Sequence, residues 1–171
     1  FDNYNLYHFE NGSWTTIQQI FKKDSLQTQH KDNGIKKSQC YKVTQSNYCR
    51  AESDLSSSSE HCSIHTSALG AMNHNILTWT PYVGWPVMTY KIWRQNTNSP
   101  AIFDSIAMVN GQAAIYLDSG INCKTLHAYR VTAYGNSAEK ISVSDSAKAK
   151  AIWINTLPAP QIVFVTVDED T

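Results

Sequence analysis

Four cysteines and six histidines are the residues of this chain whose chemistry extends to metal ligation, disulfide formation or proton transfer. Cys49, Cys62 and His65 follow one another as Cys-x12-Cys-x2-His, with His61 alongside, which has some of the look of a zinc site. Structural zinc sites are built from ligands paired at short spacing, and no CxxC pair occurs. The plainer reading is a disulfide with solvated histidines. His8, His30, His61, His65, His74 and His127 are scattered over different segments, so no acid–base pair is set up. His127, close to Tyr129, reads as a strand residue rather than a general base. Ser25, Ser63 and Ser142 lie in no GxSxG turn. Asp168-Glu169-Asp170 is a possible calcium-ligating run, but it lacks the glycine and alternation of an EF-hand loop and reads as a solvated acidic turn. Asn11-Gly12-Ser13 matches a glycosylation sequon and equally an Asn-Gly turn. The expectation is a non-enzymatic chain with no catalytic residues, no cofactor and no metal.

Aromatic residues carry the binding flavour. Trp14, Tyr82, Trp85, Trp93 and Trp153 exceed what a small core needs. Trp85, followed by Pro86 in a loop, suits stacking on a sugar or on a partner protein. The competing reading, which we prefer, is that Tyr82 and Trp85 close the end of a folded unit against its neighbour.

The elements that would position these residues are strands. Ile76 to Thr80 is β-rich and carries Trp79, a natural seed for a core; Pro81 and Gly84-Trp85-Pro86 break the run. Met88 to Arg94 alternates, with Met88, Tyr90, Ile92 and Arg94 on one face. Part of this pattern occurs twice. Tyr4 to His8 matches Tyr90 to Arg94, and Asp32 matches Asp118, both at an offset of 86 residues. Cys40 to Thr44 matches Ala128 to Thr132 at an offset of 88. A period of that length is too long for a solenoid and suits a small all-β domain, so the chain reads as a tandem array.

Leu77-Thr78-Trp79, Tyr90 to Arg94, Tyr116-Leu117-Asp118, Tyr129 to Ala133 and Ser142 to Ser146 together resemble a fibronectin type III domain from strand B to strand G. The Trp-Thr-Pro-Tyr and Gly-Trp element between strands B and C resembles tandem modules of large secreted and surface proteins of gliding bacteria. The resemblance implies all-β, immunoglobulin-like sandwiches in tandem. Residues 1–66 would be a partial module with strands C to G, lacking A and B and therefore poorly stable alone, with Tyr41 and Val43 pointing inward. Its later strands would lie at Leu26 to His30, Gln39 to Gln45 and between Leu55 and Ile64. Residues 67–156 would be a complete module. There A lies at Ala68-Leu69, C′ at Ile102 to Met108, E at Ala114 to Leu117, F at His127 to Tyr134, and G as one run from Ile141 to Ala149. Residues 157–171 would supply a Pro158-Ala159-Pro160 hinge and the first strand of a third module, Gln161 to Val167. Tyr129 falls at the tyrosine corner, its hydroxyl expected to return to nearby backbone. Asp118, before strand F, is expected to cap a turn. Cys40 opens strand F and Cys62 closes strand G of the first module, where an antiparallel hairpin brings them together, so we expect a Cys40–Cys62 disulfide. Cys49 is placed to compete for Cys62, and Cys123 has no evident partner.

The chain has 14 basic and 14 acidic residues among 171, so there is no basic face for nucleic acid. No apolar run reaches the length of a membrane span. The sequence starts within a module, so we expect a piece of a larger secreted or cell-surface protein. Two functional readings follow. One is a spacer and interaction segment whose partners are neighbouring modules, surface proteins or polysaccharide, in an adhesion or gliding setting. The other is an accessory linker or binding region of a secreted polysaccharide-degrading enzyme. Fold alone does not choose between them.

Overall fold

The computed structural model describes residues 3–21, 37–49, 51–123 and 125–152. The expected strand at Leu26 to His30, the proline hinge, the strand at Gln161 to Val167 and the acidic run 168–170 lie outside the described residues. Within them the secondary structure is twelve β-strands and one short 3-10 turn at Leu55–Ser57. None of the described helical segments is long and apolar enough to cross a membrane.

The strands are β1 (Asn3–Glu10), β2 (Ser13–Phe21), β3 (Cys40–Ser46), β4 (His61–Cys62), β5 (Thr66–Ala71), β6 (His74–Trp79), β7 (Thr89–Gln95), β8 (Phe103–Asn110), β9 (Ile115–Ser119), β10 (His127–Tyr134), β11 (Ile141–Val143) and β12 (Ala147–Ala149). The first four form one antiparallel sheet in the order β2-β1-β3-β4. Asn11 and Gly12, both at positive φ, turn β1 into β2. The remaining strands form a sandwich. One sheet runs β11-β10-β7-β8, with β12 also on β10, and the other runs β5-β6-β9.

The sandwich core follows from alternation. Leu77 and Trp79 of β6 face Tyr90 and Ile92 of β7 and Tyr129, Val131 and Ala133 of β10, all buried. Trp79 meets Tyr90 edge-on at 5.5 Å between ring centroids, an arrangement that aromatic quadrupoles favour. The expected seed of the core is therefore at its centre.

The repeat holds at the level of strand register. Leu6 pairs with Val43 in the first sheet, and Ile92 pairs with Val131 in the sandwich. These are the same two positions at the sequence offsets of 86 and 88. Strand order repeats as well, β2-β1-β3 matching β8-β7-β10.

Three expectations are corrected here. Val43 was expected to point inward, yet it is 49% exposed whereas its counterpart Val131 is fully buried. Among the described residues the first sheet has no facing sheet to cover that position. Strand G was expected as one run, yet it is split into β11 and β12. Ser144 causes the break, because its Oγ accepts the Val131 N–H and replaces a ladder carbonyl. Asp145 then turns away to accept the Thr66 N–H at 3.1 Å. Strand A is longer than expected, spanning Thr66–Ala71. Its close approach to the Lys150 backbone requires Gly70, since a Cβ there would lie 1.9 Å from the Lys150 carbonyl oxygen. Ala147, Ala149 and Ala151 supply small inward-facing side chains at the same seam, which is why this helix-like composition is a strand.

Candidate functional site

Tyr82 and Trp85 lie in the loop between β6 and β7, at the end of the sandwich that meets the first sheet. Both are half-buried rather than splayed into solvent. Their rings pack at 4.3 Å between centroids. The Tyr82 N–H donates to Tyr90 Oη at 3.0 Å, and burial raises the Tyr82 hydroxyl above its ordinary pKa. That hydroxyl shares a 2.6 Å hydrogen bond with His61 Nδ1 of β4. Beside it the Cys62 N–H donates to the Val83 carbonyl at 3.0 Å. Gly84, at φ 144°, leaves the room these groups need, because a Cβ there would stand 2.3 Å from His61 Nδ1. Trp85 presses on Gly135 from the other side, where an added Cβ would be 2.9 Å from the indole.

The same strand carries the disulfide. Cys40 and Cys62 are direct register partners and are bonded. The Cys62 sulfur is therefore not available as a thiolate in the Cys49, Cys62 and His65 arrangement, and the proximity of Glu60 to this pair belongs to the disulfide. Cys49 is a free, exposed thiol and Cys123 a free, half-buried one. Cys49 stands in a turn centred on Asn47, whose Oδ1 accepts the Cys49 and Ala51 N–H groups at 3.0 Å each.

A buried polar network crosses the sandwich. Tyr129 Oη donates to Asp118 Oδ2 at 2.7 Å and accepts from Asn75 Nδ2 at 2.8 Å. Arg94 Nη1 bridges both Asp118 oxygens at 3.0 and 2.9 Å. Two expectations change as a result. The Tyr129 ring is buried as expected, but its hydroxyl goes to side chains rather than to backbone. Asp118 caps no turn; it is the buried anion that neutralises Arg94. Sequence reasoning missed Arg94 and Asn75, although their polar types on otherwise apolar core faces were a signal.

His127 begins β10 and is 6% exposed, and among the described residues neither ring nitrogen has a hydrogen-bond partner of normal geometry. Burial holds its pKa below the ordinary value, helped by the Arg94 guanidinium and opposed by the Asp118 carboxylate and the Asn122 backbone. It lines a polar cleft with Asn96, Asn98, Asp104 and Thr125. The Asp118 carboxylate, whose charge it feels, is already committed to Arg94. Among the other described histidines, His8 meets Gln39, His61 meets Tyr82, His65 meets Asp145 and His74 meets the Met72 carbonyl.

No protein-family model matches the chain, and no curated protein matches it. Solved structures it is similar to include a pectate lyase from Pectobacterium carotovorum, at 20% identity and a TM-score of 0.44, over 59% of this chain and 28% of that one. A Fn3-like protein from Clostridium thermocellum is similar at 22% identity and a TM-score of 0.41, over 53% of this chain and 91% of that one. The central fibronectin-III array of RIM-binding protein is similar at 13% identity and a TM-score of 0.43, over 94% of this chain and 60% of that one. The chain thus spans little more than a quarter of the pectate lyase.

Proposed function

We propose that this chain is a non-catalytic spacer and interaction segment of a larger secreted or cell-surface protein, in an adhesion or gliding-associated setting. Residues 1–66 are then a partial fibronectin type III module, 67–156 a complete one, and 157–171 a linker with the first strand of a third. The observation that carries this reading is the repeated register, Leu6 on Val43 and Ile92 on Val131, in two sheets of the same strand order. Two copies of one β unit follow each other with only three residues between β4 and β5. Tyr82 and Trp85 serve as the joint between copies, since their polar and apolar contacts are taken up by His61, Tyr90 and Gly135.

The Cys40–Cys62 disulfide supports an oxidising location, because cytosolic thiols are kept reduced. Stapling a thin sheet with a covalent bridge is what small extracellular β units do when their core is limited. The test is peptide mapping of the native protein, alkylated before any reduction. A linked Cys40–Cys62 peptide is expected. Both cysteines recovered as alkylated thiols would remove the extracellular reading.

A further inference from the structure

The first sheet carries a second feature, on the face opposite Val43. Asn3 and Asn5 of β1 are buried there, with Thr44 and Ser46 of β3 beside them. A β-bulge shifts the β1–β2 register at Leu6/Tyr7, so that Gln19 and Phe21 pair with Asn5 and Asn3. Without that extra residue, Gln18 and Ile20 would take those positions. The bulge thus places an amide and an aromatic ring along one wall of a cleft of about 490 Å³.

The other wall is the turn after β3. Ser46 and Glu52 form an antiparallel bridge, and Asn47 organises the turn through its side-chain carbonyl. Tyr48 projects from it with 88% of its surface exposed. The Glu52 carboxylate accepts hydrogen bonds from Thr44 Oγ1, from Tyr7 Oη at 2.7 Å and from Asn5. These hold its pKa below the ordinary value, the Thr44 contact most. A carboxylate has about four acceptor positions, so one remains open. Gln19 uses one amide N–H on Asn5 Oδ1 at 3.0 Å, and its own carbonyl remains an acceptor.

We propose that this cleft binds a neutral saccharide. Planar amides and a fixed carboxylate pair with adjacent sugar hydroxyls, each of which both donates and accepts. Tyr48 and Phe21 offer faces for the apolar side of a pyranose ring. The Glu52 carboxylate in the lining disfavours acidic sugars. The site is separate from Tyr82 and Trp85, and the inference stands without the spacer reading.

The test is a heteronuclear NMR titration of the whole 171-residue chain with cellohexaose and mannohexaose, using tetragalacturonate as the acidic comparison. At least one neutral hexamer is expected to shift the backbone amides of Asn5, Gln19, Tyr48 and Glu52. Tyr48→Ala, at an exposed loop position that leaves the remaining spectrum unchanged, is expected to weaken binding about tenfold. Glu52→Gln is expected to weaken it as well. The inference is overturned if neither neutral hexamer shifts these amides, if Tyr48→Ala binds as tightly as the parent, or if tetragalacturonate binds more tightly than both.

Discussion

Tyr129 and Asp118 are joined by a 2.7 Å hydrogen bond inside the sandwich, eleven residues apart in sequence and on facing sheets. The phenol sits between the Asn75 amide and a carboxylate whose charge is balanced by Arg94. Its own ionisation is pushed well above the ordinary tyrosine value, chiefly by burial. Removing the hydroxyl leaves Asn75 and Asp118 each short of a partner. Tyr129→Phe is therefore expected to cost about 1–2 kcal/mol. Asp118→Ala also leaves Arg94 uncompensated; since that side chain is 32% exposed, the cost is discounted from the fully buried range to about 2–3 kcal/mol. Urea midpoints at constant m-value measure both.

The disulfide closes a loop of 22 residues in sequence separation. On the chain-entropy account it stabilises the folded state by about 3 kcal/mol. A Cys40→Ser, Cys62→Ser double variant should lose that amount in the transition that reports on the first sheet. The Tyr129-centred sandwich should melt almost unchanged, since its core contains neither sulfur. Equal losses in both transitions would mean that the two sheets unfold as one unit.

Acid should weaken the sandwich through His127. Its folded-state pKa lies below the unfolded value near 6.5, so the unfolded chain binds the proton more readily. Stability is then fully present above that value and falls as the pH drops through it towards the folded pKa. Guanidinium midpoints at about pH 7.5 and 5.5 should show this loss, and His127→Phe should flatten it. Glu52 acts in a lower window. Its depressed pKa contributes stability above its unfolded value of 4.5, lost as the pH falls further.

Val43 and Val131 are equivalent in sequence and register but not in environment. Val131→Ala should cost about 2 kcal/mol, because two buried methyl groups leave a closely packed core. Val43→Ala should cost under about 0.5 kcal/mol. Equal costs would show that the Val43 face is covered in solution.

Much of this fold was legible in local pattern. Trp79, the alternation of Tyr90 and Ile92, and the run His127–Tyr134 located three core strands, because a half-buried strand writes its faces into every second residue. The Cys40–Cys62 pair was legible once those strands were in place, since an antiparallel hairpin joins its two open ends. What escaped depended on partners far apart in the chain. Arg94 reaches Asp118, and Asn75 reaches Tyr129, only after two sheets have closed on each other. The bulge at Leu6/Tyr7 left no composition signal, so the side-chain set opposite Val43 was invisible in sequence. The break at Ser144 was missed because a serine hydroxyl standing in for a backbone acceptor looks like any exposed strand serine.

The spacer account is tested most directly by an antibody against residues 67–156, used to blot fractionated source cells and their medium. The account predicts a very large product held at the cell surface or released into the medium. A medium-sized soluble product in the medium would favour an accessory region of a secreted polysaccharide-degrading enzyme and move the search for chemistry to its other domains. A small product confined to the cytosol would contradict the account.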